Sequence, residues 1–156
     1  MSSGQRRLRL CGEGGGIEHA QEGTNTMKFM LFMSAPYGTG DWDITKKWAP
    51  ADFQAHMRFM RELNEDLLAA GELVGGAALT PPRQARLVRA GSQGKPEVTD
   101  GPFAESKEFL AGYWIVDVET AERAYAIAAR ASTAPGPGGA PLNMTLEVRE
   151  VMSDLA

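Results

Sequence analysis

Thiol and imidazole are scarce in this 156-residue chain, which has one cysteine, Cys11, and two histidines, His19 and His56. A lone thiol forms no internal disulfide, so the fold does not depend on an oxidising compartment. So few nitrogen and sulfur ligands argue against a zinc or iron site, and no metal is expected. No glycine loop leads into lysine and serine or threonine, and Gly12 to Gly16 lacks a flanking strand and helix. No phosphate cradle or nucleotide fingerprint is therefore present, and no cofactor is expected. No serine occupies a nucleophile elbow. The 16 basic and 20 acidic residues give a net charge of −4 with the signs interspersed. Without a basic stripe or a bilayer-length apolar run, the expectation is a cytoplasmic protein that engages neither nucleic acid nor membrane.

What is present divides into an extension, one domain and a short tail. Residues 1–26 place Gly12, Gly14, Gly15, Gly16 and Gly23 among charges with hardly any apolar periodicity. Such a segment cannot bury enough surface to offset its ordering entropy and is expected to be disordered. Arg6, Arg7 and Arg9 are too close to acids, and Leu8 and Leu10 too few, for a targeting signal. Residues 27–152 are long enough for one domain with a real core, and 153–156 form the tail.

Within the domain, Met27 to Met33 is apolar at almost every position, as in a central strand. Ser34 to Pro50 reads as a loop whose Tyr37, Trp42 and Trp48 either lid a pocket or plug a core edge and a subunit interface. Asp52 or the turn before it caps a helix that runs to Ala70 and ends at Gly71. Its Phe53, His56, Met60, Leu63 and Leu67 step by three and four onto one face. His56 on that face is either a packed core residue or a general base. Leu73 to Leu79 is a strand loosened by Gly75 and Gly76, which mark a bulge or a close approach by a backbone or ligand. Ala85 to Arg89 is a third strand, Gly91 to Gly94 is a turn into the short extended segment Lys95 to Thr99, and Gly112 to Val118 is the next strong strand. Thr120 caps a second helix with a face of Ala121, Ala124, Tyr125 and Ala128. Ser132 to Pro141 reads as a mobile loop, and Met144 to Arg149 alternates as a last strand. The order is that of an α+β, ferredoxin-like βαββαβ plan with one additional short strand.

Asp100 to Glu108 follows neither period. Gly101-Pro102 is a turn signal, and Phe103, Glu105, Ser106, Lys107 and Glu108 bring both signs of charge beside an apolar ring. That composition suits a pocket rim; equally, Asp100 caps a short turn and the charges are solvated. Asp100 is placed to accept backbone N–H bonds from the turn after it, with Glu105 and Lys107 facing whatever binds. The candidate ligand-binding residues are Asp100, Gly101, Pro102, Phe103, Glu105, Lys107 and Glu108, and the candidate acid–base groups are Asp100 and His56.

Asp100 to Glu108, followed by Gly112-Tyr113-Trp114, resembles the signature of the DGPF (DGPFAETKE) proteins, a branch of the YciI-related proteins. Ser106 replaces the usual threonine and keeps its hydroxyl. The likeness runs from Met27 to about Met152 through Asn64-Glu65-Asp66-Leu67, Ala70-Gly71, Leu79-Thr80-Pro81 and Leu146-Glu147-Val148-Arg149. Glu150 departs from the pattern, where relatives often carry proline. The resemblance implies a homodimer whose stacked sheets form a dimeric α/β barrel. It also implies a histidine on the first helix suspected of catalysis, but that position falls near Met60, a turn from His56. Two functions follow as expectations: binding or transforming a small polar molecule in the cleft beside Asp100 to Glu108, or acting as a regulatory accessory to an extracytoplasmic sigma factor. The residues do not themselves separate an enzyme from a binding protein.

Overall fold

The structure is a computed structural model that describes residues 26–36, 48–101 and 107–152. The expected disordered extension, apart from Thr26, lies outside the described residues, as do Tyr37, Trp42, Pro102, Phe103, Glu105 and the tail. The elements are β1 (Met27–Pro36), α1 (Pro50–Ala69), β2 (Leu73–Ala78), β3 (Arg86–Ala90), β4 (Pro96–Asp100), β5 (Glu108–Val118), α2 (Ala121–Ser132) and β6 (Leu146–Glu150). A four-stranded sheet runs β2-β5-β1-β6 with every neighbouring pair antiparallel. This is the ferredoxin-like α+β arrangement that the order of elements predicts. β3 and β4 stand outside it as a separate two-stranded sheet.

The apolar run of β1 places it at the centre, where Phe29 and Leu31 point into the core. Trp114, Val116 and Val118 join them from β5, Leu63 and Leu67 from α1, and Ala124, Ile127, Ala128 and Ala131 from α2. On the opposite face Met30 lies across from Ile115 and Phe32 from Tyr113, all four half-buried. The helices therefore cover one side of the sheet only.

Local chemistry explains the boundaries. Thr120 accepts a hydrogen bond from the Arg123 N–H at 3.2 Å, the N-cap its position predicts. α1 starts differently: Ala49 is the N-cap residue with no side-chain cap, Pro50 opens the helix, and Asp52 sits within the first turn. An acid there favours the helix dipole without capping it. On α2 Tyr125 is 55% exposed while Ile127 is 3% exposed, because the packed face steps through Ala124, Ile127, Ala128 and Ala131 and Tyr125 falls beside it. The segment expected to be a mobile loop is closed by its own backbone: Gly136 N–H donates to the Ala140 carbonyl at 2.7 Å and Leu142 N–H to that of Ala134 at 2.9 Å. Ala134 is buried there at 3% exposure.

The glycines of β2 divide the two roles the sequence suggests. The ladder shifts register between Leu73 and Gly75, a bulge, and a Cβ on Gly76 would lie 2.8 Å from the Tyr113 carbonyl oxygen. Gly76 is where two backbones approach closely.

Candidate functional site

The helical stripe of α1 is buried at its C-terminal end and opens toward its N-terminus. Leu67 and Leu63 are 2% and 1% exposed, whereas Phe53 is 39% exposed. Between that opening half of α1 and the strands β2 and β5 lies a cavity of about 320 Å³. Met57, Met60, Leu73 and Trp114 are among its apolar lining, and His56 and Asn64 bring polar side chains from α1. The described lining includes no aspartate, glutamate, lysine or arginine.

His56 is held from two sides. Its Nδ1 lies 3.1 Å from the Pro135 carbonyl oxygen. A carbonyl only accepts, so Nδ1 carries the proton and donates, and in the neutral tautomer this leaves Nε2 as the acceptor. The Trp48 ring meets the imidazole edge-on, with centroids 5.3 Å apart at 83°, the arrangement aromatic quadrupoles prefer. Asn64 Oδ1 accepts the indole N–H of Trp114 at 2.9 Å, fixing both side chains and joining α1 to β5. The chemistry available is one oriented imidazole in a mostly apolar, half-open cleft.

Two other clefts lack such convergence. One, of about 340 Å³, adjoins the start of α2, where Arg123 forks onto both carboxylate oxygens of Glu72 at 2.7 Å. The hydrogen bonds from Arg123 hold the Glu72 carboxyl below its ordinary pKa, and the two charges satisfy each other. The other, about 330 Å³, lies between α2 and β6 and is open.

The described residues of the loop predicted to bind, Asp100, Gly101, Lys107 and Glu108, are not among the described lining of the cavity. Asp100 ends β4, its side chain 91% exposed and 3.4 Å from Arg86 Nε. The N–H groups after Gly101 that the sequence assigns to it lie outside the described residues, as do Pro102, Phe103 and Glu105. Gly101 N–H donates to the Ala85 carbonyl at 3.1 Å. Lys107 is exposed, and Glu108, also exposed, opens β5 opposite Pro36. Gly112, four residues further along β5, lines the cavity, about 13 Å away at ~3.3 Å per residue. His56 is the predicted residue that the fold brings to the cavity, and Met60, near which the resemblance sets its histidine, lines the same wall. Asn64, Trp114 and the Pro135 carbonyl were missed as site groups. Asn64 had a signal, a polar residue at helical spacing from Met60 and Leu67.

Comparison with known proteins agrees with this architecture. A protein of Rhizobium meliloti (strain 1021) described as uncharacterized is 33% identical over 84 residues, 54% of this chain and 67% of that one. The YCII-related domain profile matches residues 27–138, most of the described fold. The chain belongs to the YCII-related family.

Proposed function

We propose that the chain is a DGPF-type member of its family that binds a small molecule in the cavity between α1 and the β2–β5 edge, with His56 Nε2 as the group that accepts a proton or hydrogen bond from it. The observation that carries this reading is the tautomer-fixed His56 in an enclosure within the size range of small-molecule sites. In this reading Asp100 to Glu108, whose last residue opens β5, supplies a polar rim at the cavity mouth. The proposed setting is the cytoplasm, and the alternative function is an accessory to an extracytoplasmic sigma factor.

The test is a fragment screen by thermal shift on the full chain and on Met57→Trp. Met57 lines the cavity yet is 44% exposed, so a larger ring there fills the cavity with little cost to folding. A fragment at a hundred times its Kd stabilises by about 2.7 kcal/mol. Hits that disappear in Met57→Trp support the reading. Failure of every fragment, or equal shifts in both proteins, removes it and leaves the sigma-factor alternative, read by capture with purified sigma factor.

We also propose a homodimer formed through the uncovered sheet face, supported by Met30, Phe32, Tyr113 and Ile115 lying together there. Light scattering at micromolar concentration is expected to give twice the chain mass, and a monomer refutes it.

A further inference from the structure

The small-molecule reading leaves the charge of the ligand open, and the cavity wall restricts it. An anion enclosed there meets no lysine or arginine among the described lining residues, and a cation meets no carboxylate. Moving either from water into such a site is costly without a partner. The enclosure is otherwise lined by the thioethers of Met33, Met57 and Met60 and the indole of Trp114. Thioether sulfur makes favourable contacts with ring edges and adapts to their outline. Its volume of about 320 Å³, at ~30 Å³ per water-sized group, accommodates about ten non-hydrogen atoms.

Two directional groups remain among the described lining side chains, His56 Nε2 and the amide N–H pair of Asn64. The Pro135 carbonyl consumes the Nδ1 proton of His56, and the Trp114 N–H consumes a lone pair of the Asn64 carbonyl. In the neutral tautomer Nε2 of His56 asks for a donor, while the Asn64 amide offers one to any acceptor beside it. We infer that this cavity selects neutral ring compounds of about ten non-hydrogen atoms that carry one O–H or N–H donor, presented to His56 Nε2. This rests on the small-molecule reading and adds to it the charge state, the shape and a defining polar contact of the ligand.

Four probes separate the elements of the inference: phenol, toluene, benzoate and benzylammonium, titrated at pH 7.5 into the full chain and followed by saturation-transfer NMR. Phenol is expected to bind at least fivefold more tightly than toluene and at least tenfold more tightly than either ion. In His56→Leu, checked for folding by circular dichroism, the advantage of phenol over toluene falls below twofold. His56→Gln, whose amide oxygen also accepts, recovers part of it. Benzoate or benzylammonium binding best, with that binding lost in Met57→Trp, overturns the neutral class and keeps the small-molecule site. Phenol and toluene binding equally well to the unaltered protein overturns the role of Nε2. Binding by none of the four, together with an empty fragment screen, overturns both this inference and the reading beneath it.

Discussion

Gly75 and Gly76 are adjacent in one strand, and replacing each by alanine is expected to move stability in opposite directions. Gly76 pairs with Trp114 in the ladder, and an added Cβ would lie 2.8 Å from the Tyr113 carbonyl oxygen and 3.2 Å from Trp114 Cδ1. The first of these is backbone in the neighbouring strand, so it cannot swing aside; the ladder itself has to shift. Overpacking of this kind costs about 1–3 kcal/mol. The lost freedom of the unfolded chain returns about 0.4–1 kcal/mol when glycine becomes alanine. The net loss for Gly76→Ala is about 1–2 kcal/mol, a fall in Tm of roughly 4–8 °C for a domain of this size. A Cβ on Gly75 meets nothing within 4 Å, and its backbone does not require glycine. Only the unfolded-chain contribution then applies, and Gly75→Ala is expected to raise Tm by about 2 °C. Both variants are read by thermal unfolding followed by circular dichroism. Equal falls, or a larger fall for Gly75→Ala, refute the assignment of the close approach to Gly76.

Removing residues 1–26 is expected to leave Tm within about 5 °C, the shift on the order of 1 kcal/mol that a packed segment would exceed; differential scanning fluorimetry decides. Leu63→Ala empties a position that is 1% exposed and is expected to cost on the order of 3 kcal/mol in urea unfolding; a loss under 1 kcal/mol contradicts its place in the core. Arg123→Met removes the partner that depresses the Glu72 pKa. A carboxyl whose folded pKa is lowered stabilises above its unfolded pKa and loses that contribution as pH falls through the folded one. The Arg123 side chain is 49% exposed, so the deficit is about 0.5–1 kcal/mol at pH 7. It narrows below the ordinary value of 4.5, and a deficit independent of pH contradicts the pairing. Asp100→Ala breaks a pair whose acid is 91% exposed and is expected to change stability by less than about 0.5 kcal/mol; a larger loss in chemical unfolding shows that Asp100 also holds the loop after it.

The frame of the fold was legible where periodicity and caps are local properties. The continuous apolar run of β1, the three-and-four stepping from Met60 to Leu67, and Thr120 before α2 each carry their own signal. The bounds of β5 were less legible, because Glu108 and Phe109 look like the end of a charged loop and become strand only by pairing with Pro36 and Ala35. Both strands of the β3–β4 pair and the turn between them were legible, but nothing local distinguishes an extended piece that joins the main sheet from one that pairs elsewhere, so their separation from that sheet was not. The site was half legible. His56 could be placed on the inward face of α1, but its orienting partner is a main-chain carbonyl 79 residues away. A backbone oxygen has no residue type to read, and proline and glycine around Pro135 spoke for mobility rather than for a compact turn.

The hydrogen bond from Leu79 N–H to the Ala111 carbonyl, at 2.8 Å, closes β2 against β5 before the chain departs into the β3–β4 ribbon. The described chain that follows, from Thr80 to Gly101, is an excursion from the main sheet, which the chain has rejoined at Glu108. The entropy of closing such an excursion grows only with the logarithm of its length, about 0.6 kcal/mol for each doubling. Chain can therefore be inserted or deleted there with little effect on the sheet, and a two-stranded ribbon is itself only marginally stable in water. Here the architecture permits its own variation: the ribbon's length and composition can drift between related proteins while Trp114, Asn64 and His56 stay in place. Under native-state hydrogen exchange the ribbon's amides are the ones to open first, with the sheet beneath them intact.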